Sequence, residues 1–332
     1  MALRGINNPT LSDVAKRLDP DGKISAIVEL LSETNEVLED VTFLEGNLPT
    51  GHRTTVRSGL PSVTWRQLNY GVQPSKSRTV QVTDSAGMLE AYAEIDKELA
   101  ELNGNSAEFR LSEDRPFIES MNQTMAETIF YGNTATQAEK FMGLAPRYSD
   151  KGAENGENII DAGGTGSDNT SVWLVTWGPT TCHMFYPKGT QAGLQQRDLG
   201  EDTKVLGDGS MLQVLRSHYQ WKAGLALRDW RYSVRVANVD TNALADAGTS
   251  GYDGADLINL MIDAYNRLQS TNGGRMAIYA NRTVKTALDR LAVNKNNVQL
   301  SIENYAGRPT TTFWGIPIRR VDALVNTEER VT

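Results

Sequence analysis

The chain has 332 residues, 39% hydrophobic and 22% charged, with a formal net charge of -8 and a single cysteine. This balance excludes a disordered or fibrous chain and allows a sizeable core in one large or two modest domains. Its acidity argues against a protein whose main work is gripping phosphates, because that work needs a positive surface to displace counterions.

Cys182 has no intramolecular partner for a disulfide, so stability must come from packing or oligomerisation, and a reducing compartment suits it. No run approaches the roughly 18 apolar residues of a spanning helix, and Met1 to Gly22 lacks the pattern of a secretion signal. The chain is expected to stay in the cytoplasm where it is made, away from any membrane.

The first forty residues hold two short apolar stripes, Leu11, Val14, Ala15 and Leu18, then Ile24, Ile27, Val28 and Leu31. Helices of so few turns need a partner surface, which reads as a docking arm. From Gly46 to Ala86 the texture turns to Thr, Val and Arg. Segments His52 to Ser58, Ser62 to Tyr70 and Lys76 to Thr83 are separated by Gly59-Leu60-Pro61 and by Gly71 to Pro74. An extended hairpin that projects or covers a neighbour is expected.

That hairpin is basic. Arg53, Arg57, Arg66, Lys76 and Arg78 face only Asp84, a net +4 over residues 46–86, whereas nine carboxylates against three cations give -6 over residues 88–119. The acidic stretch is expected to hold two helices. Met88, Tyr92, Ile95, Leu99 and Leu102 recur at helical spacing before Asn103-Gly104. A second helix starts at Ser112-Glu113-Asp114, with Pro116 near its first turn and Phe117, Met121, Met125 and Ile129 as its buried stripe.

Residues 150–171 read as a polar loop, followed by strands over Trp173 to Trp177 and Thr181 to Tyr186. Between Met211 and Val239 apolar residues occupy odd positions as far as Leu227 and even positions from Trp230. Strand faces alternate with period two, so a bulge or turn is expected near Arg228-Asp229, within long antiparallel strands. The last third reads as a compact α/β unit: a helix with Leu257, Leu260, Met261, Ala264 and Leu268, then a strand over Met276 to Ala280. Asn281 caps a helix carrying Val284, Ala287, Leu288 and Leu291, and a final strand region over Thr311 to Val321 is broken at Gly315-Ile316-Pro317.

The parts of an enzyme do not assemble. His52, His183 and His218 show no ligand spacing, and one cysteine cannot build a zinc ribbon. Gly163-Gly164-Thr165-Gly166 lacks the Lys-Ser/Thr of a phosphate loop. Cys182 and His183 are adjacent on a strand and point to opposite faces, one expected buried and one exposed. No cofactor and no metal site are expected, and a soluble hydrolase using surface carboxylates stands only as an alternative.

The basic hairpin is the unusual feature. It could bind nucleic acid, or lie on the acidic surface of another copy of the chain, and complementary charge within one sequence favours the second reading. The residues expected at that interface are Arg53, Arg57, Trp65, Arg66, Lys76 and Arg78 on the hairpin, with Glu90, Glu94, Glu98, Glu113, Asp114 and Glu119 opposite.

In its order of elements the chain resembles the major capsid proteins of tailed bacteriophages, with the α+β Hong Kong 97-like fold. Phe130-Tyr131-Gly132-Asn133 with Phe141-Met142-Gly143-Leu144, and Trp221, Gly224-Leu225, Asp229 and Arg231, resemble the podophage branch. Tyr279, Asn281-Arg282-Thr283 and Gly315-Ile316-Pro317-Ile318-Arg319-Arg320 add to the likeness.

The resemblance implies an N-terminal arm at 1–45, an E-loop hairpin at 46–86, a P domain with a long spine helix at 87–140 and 205–245, and an A domain at 141–204 and 246–332. It also implies a virion shell of hexamers and pentamers around double-stranded DNA, bound without sequence specificity. Portal, scaffolding and decoration or cement proteins would be the partners. Some relatives cross-link an E-loop lysine to an asparagine. Lys76 is the lysine available here, with no matching asparagine and glutamate motif, so noncovalent assembly is expected. An encapsulin-like compartment of the same fold is the nearest alternative.

Overall fold

The structure is a computed structural model describing residue 9 and residues 32–102, 106–245, 256–293, 299–305 and 308–332. The two stripes expected in the arm and the Asn103-Gly104 stop lie outside the described residues.

In chain order the elements are α1 (Val37–Asp40), β1 (Phe43–Glu45), β2 (Gly51–Gly59), β3 (Arg78–Ser85), β4 (Gly87–Asp96), α2 (Lys97–Glu101), α3 (Ser106–Tyr131), β5 (Ile159–Asp161), β6 (Asn169–Trp177) and β7 (Cys182–Tyr186). They continue as β8 (Leu194–Val205), β9 (Met211–Leu227), β10 (Ser233–Asp240), α4 (Thr241–Ala245), α5 (Leu257–Arg267), β11 (Arg275–Ala280), α6 (Arg282–Val293), β12 (Leu300–Tyr305), β13 (Arg308–Phe313) and β14 (Ile316–Arg320). The chain forms two compact units. Among the described residues the first contains 32–34, 88–125 and 193–222, and the second contains 35–87, 126–192 and 223–332.

In the first unit β8 and β9 pair antiparallel from Leu194 opposite Trp221 to Val205 opposite Met211, and β4 lies beside β9. The stretch expected as a helix over Met88 to Leu102 is this strand, followed by the single turn of α2. Leu89, Ala91, Ala93 and Ile95 form an alternating apolar stripe that outweighs the helical spacing, leaving Met88 and Tyr92 exposed on the other face. Ile95, Ala100 and Phe109 close a small core, and Phe117 stacks on Tyr219 at 6.1 Å.

Helix α3 begins six residues earlier than Ser112-Glu113-Asp114 predicts, so that triplet is helix interior and Pro116 is not in the first turn. Pro116 removes one amide donor but sits exposed, and of the expected stripe Met121, Met125 and Ile129 are buried while Phe117 is half-buried against Tyr219. Burial of one continuous face outweighs the local start signal.

The second unit is built on β6, all nine of whose residues are buried. It pairs antiparallel with β11 on one side and β10 on the other, and β11 continues into β14, β13 and β12. Val172, Leu174, Val234, Val236 and Ile278 join Met261 and Ala264 of α5 and Val284 and Leu288 of α6 in one apolar core. Trp173, Trp177, Phe130, Tyr148 and Tyr279 are buried among themselves, with Phe130 6.2 Å from Trp173 and Tyr148 5.7 Å from it. Two covered faces explain the apolar Val172 to Val175 at the centre of β6, and its polar start, Asn169 to Ser171, falls within the stretch expected as a loop over 150–171. The Asn281 side chain accepts from the Val284 amide at 2.9 Å, the expected cap. The parity change at Arg228-Asp229 marks the turn between β9 and β10.

The end of α3 explains the Phe-Tyr-Gly-Asn and Phe-Met-Gly-Leu phrases. The Gly132 amide donates to the Thr128 carbonyl at 2.9 Å, and Leu144 supplies an amide to the Ile129 carbonyl at 2.9 Å. The returning segment therefore satisfies carbonyls that a helix end leaves open. A Cβ on Gly132 would lie 2.3 Å from the Phe141 oxygen, and one on Gly143 would lie 2.7 Å from the Thr128 oxygen. Gly132→Ala should therefore cost about 2–3 kcal/mol, a large overpacking penalty. Urea unfolding of the soluble subunit measures it, and an unchanged midpoint would show that this crossing can relax.

Candidate assembly surfaces

Strands β2 and β3 pair antiparallel from Gly51 opposite Ser85 to Arg57 opposite Thr79, with a shift before Gly59. Residues 60–77 carry no strand, so the middle segment expected over Ser62 to Tyr70 is a non-repetitive excursion with a turn at Leu68-Asn69. Gly59-Leu60-Pro61 and Gly71 to Pro74 act as breakers on both sides, and no strand among the described residues pairs with the polar-apolar stretch between them.

The root of the hairpin is fixed. The Gly46 amide donates to the Tyr186 carbonyl at 2.7 Å, and β1 runs parallel to β7. The Asn47 side chain bonds both the amide and the carbonyl of Arg53 at 2.7 Å. Arg147 donates to Asp84 at 2.8 Å and to the Leu225 carbonyl at 3.1 Å. Asp84 is the only buried residue of β3, and on β2 burial ends at Thr54.

Beyond the root the hairpin is exposed on both faces. Arg53, Arg57, Arg66, Lys76 and Arg78 are exposed, and none forms an ion pair among the described residues. Trp65 is fully solvated at 104% relative exposure, with Leu60, Val63, Leu68 and Tyr70 close behind. Of these apolar residues only Trp65 was expected at an interface. The others gave no periodic signal, because the segment has no repeating structure. A contiguous apolar surface on a projecting segment is rare on monomers and marks a partner site.

The acidic residues are more dispersed than their sequence order suggests. Glu90 and Glu94 lie on β4, not on a helix. Glu94 pairs with Lys204 and with Arg216, the latter at 2.7 Å. Burial would raise its pKa, but these two cations outweigh that and hold it below the usual carboxylate value. Glu90 sits 3.8 Å from His218 and accepts from Gln220.

Asp114 is buried, and desolvation raises its pKa despite a hydrogen bond from Tyr219. Glu119 accepts from the Glu33 amide and from Gln123, each at 2.9 Å. Glu113 is half-buried, and Glu98 is exposed at the start of α2. Exposed carboxylates that the reading missed lie on β8, where Asp198 pairs with Arg110 at 2.7 Å and Glu201 with Lys97 at 2.9 Å.

Cys182 and His183 are both buried, which corrects the expectation of one exposed. Strand β7 is covered on both faces, and burial pushes the thiol up to about 12, away from nucleophile chemistry. Among the described residues no three His, Cys, Asp or Glu side chains converge as metal ligands, and no helix is long and apolar enough to cross a membrane.

Residues 19–332 match the family described as Major capsid protein GP7. The chain belongs to this family. A chain in the structure of bacteriophage Epsilon15 is 37% identical, with 100% of both chains covered and a TM-score of 0.80. The capsid of bacteriophage JBD30 is 9% identical over 89% of this chain and 92% of that one, with a TM-score of 0.50, a likeness of fold. No match was found among curated proteins. This GP7-family protein is thus a phage major capsid protein with the mixed α+β Hong Kong 97-like fold, and its exposed hairpin is a surface of a shell subunit.

Proposed function

We propose that copies of this chain close into hexamers and pentamers of an icosahedral phage head around double-stranded DNA. The basic hairpin of each copy lies on the acidic, β4-containing unit of a neighbour. The observation that carries this reading is the hairpin itself, with five exposed cations that make no ion pair among the described residues and a solvated apolar excursion in a chain that is acidic elsewhere. Burying such a segment between copies removes apolar area from water at about 25 cal/mol per Å², and its charge sets the register.

In this reading residues 1–45 are the arm, 46–86 the E-loop, 87–140 and 205–245 the P domain, and 141–204 and 246–332 the A domain. The subunit is made in the host bacterial cytoplasm and resides in the virion as a structural, non-catalytic component. Portal, scaffolding and decoration or cement proteins are its further partners. Packaged DNA is enclosed without sequence readout, which suits an acidic subunit.

The test is negative-stain electron microscopy with light scattering on the full chain, expressed alone and with phage scaffold supplied. Uniform polyhedral particles containing nucleic acid after infection are expected. A monomer that stays inert with scaffold present would sink the reading. Trp65→Ala should leave the unfolding midpoint of the soluble subunit within about 0.5 kcal/mol, since a fully exposed side chain contributes little there. It should cut particle yield several-fold, as loss of an aromatic anchor does at an interface. Parent-level yield would remove Trp65 from the contact.

A further inference from the structure

The root of the hairpin carries a pair of buried imidazoles that neither the fold's core nor any catalytic chemistry requires. His52 of β2 and His183 of β7 meet edge to face, with ring centroids 5.4 Å apart and planes at 83°. Phe185 lies 5.5 Å from the His52 ring on another side. Both histidines are buried, His183 almost completely, and neither nitrogen of His52 has a hydrogen-bond partner among the described residues. The contact joins the buried start of β2, at the root of the hairpin, to a covered strand of the same unit.

The charged surroundings oppose a proton on either ring. The Arg228 cation opposes a positive charge on both histidines. Asp84 sits opposite His52 in the β2–β3 register and is the one carboxylate that favours its protonation, yet it is held by Arg147 at 2.8 Å. Cys182, next to His183, is a neutral buried thiol. The Gly178 backbone gives His183 its only support for a charge.

We propose that the His52–His183 contact is an acid-sensitive latch that holds the root of the basic hairpin in place while both rings are neutral and releases it when either is protonated. A proton on one ring places a cation against its partner and beside Arg228 in a dry site, where charge repulsion is strong.

The direction of the pH response follows from the depressed pKa values. Burial is the largest cause for both rings, with Arg228 adding to it, and His183 is brought down to about 4. A histidine in the unfolded chain titrates near 6.5, so the fold binds fewer protons than the unfolded chain between those values. The stabilisation is therefore fully present above about pH 6.5 and is lost as the pH falls toward 4. The proposal rests on the shell reading only for its consequence, that the angle at which the hairpin reaches a neighbour becomes pH-dependent.

Amide hydrogen exchange read by mass spectrometry on the full chain tests the latch without requiring assembly. Rates at pH 7.5 and 5.0 are corrected for chemical exchange and referenced to β6 and β10. Peptides covering residues 50–56 and 81–86 are expected to lose at least tenfold protection at pH 5.0 in the parent. The double variant His52→Phe with His183→Gln, which removes both titrating rings and keeps a neutral contact, should reduce that loss to under threefold, and each single variant should reduce it in part. A partial reduction in either single variant suffices if the double variant fails to fold. Unchanged protection in the parent, or the same tenfold loss in the variants through the Asp84–Arg147 pair, would overturn the proposal. A chain that formed no particle but showed the pattern would sink the shell reading and keep the latch.

Discussion

Reversing the charge at Arg57, Arg66 and Arg78 together, as Arg57→Glu, Arg66→Glu and Arg78→Glu, should abolish particle formation and leave the subunit folded. All three side chains are exposed on the hairpin and make no ion pair among the described residues. Each substitution alone should therefore move stability by no more than about 0.5 kcal/mol.

At an interface the effect has the opposite size. Six units of charge change per copy, and like charge facing a carboxylate surface costs several kcal/mol per contact. Every subunit of a closed shell repeats that penalty, so more than a tenfold loss of particles is expected at physiological salt. Light scattering and electron microscopy give the yield, and circular dichroism gives the fold. Because the contact is partly exposed, parent assembly should also slow as salt rises. Parent-level particles from the triple variant would rule out the basic hairpin as an electrostatic contact.

The largest effect within the fold belongs to Glu328. Its carboxylate is buried and accepts from Arg235 at 2.8 Å, from Ser171 and from Tyr131, while Arg235 also donates to the Tyr148 carbonyl at 2.8 Å and lies 5.2 Å from the centre of the Trp173 ring. Glu328 thereby fastens the C-terminal segment, which is held again where Asn238 bonds the amide and the carbonyl of Val331 at 2.8 and 2.9 Å.

Glu328→Ala leaves the Arg235 cation buried without its counter-charge, and loss of one partner of a buried pair costs about 3–5 kcal/mol. For a protein of this size that corresponds to a fall in melting temperature of about 4–7 °C. Scanning calorimetry of the subunit measures it. The double variant Arg235→Met with Glu328→Leu should recover most of the loss, because two apolar groups leave no orphaned charge. A single variant that melts with the parent would mean that water reaches Arg235.

The elements that read correctly from sequence share a physical cause. The apolar stripe of α3, the Asn281 cap and the parity change at Arg228-Asp229 are local patterns whose meaning does not depend on distant partners. Strand β6 was legible over Trp173 to Trp177, where a segment buried on both faces is mostly apolar, but its start at Asn169-Thr170-Ser171 is polar and read as loop. Strand β8 was not, since Gln195 to Thr203 is almost wholly polar and is a strand through its ladder with β9. The Met88 to Leu102 stretch satisfied two periods at once, and only the sheet beside it selected the period of two.

The sequence by itself determined the class of this protein: an acidic chain with one basic projecting hairpin, no assembled catalytic set, and an element order that matches a shell subunit. Composition and local periodicity carry the charge balance and the hairpin, because they report what must be buried and what must stay solvated; the shell subunit came from the resemblance of its motifs and element order. The tertiary structure alone decided which charges are already spent and which are free. Glu94 faces Arg216 and Lys204, Asp114 is buried, and the cations of the hairpin make no ion pair among the described residues. It also placed His52 against His183, 131 positions apart in the chain. Pairings of that range are set by packing over the whole unit, where burial free energy outweighs local preference, and no window of sequence contains them.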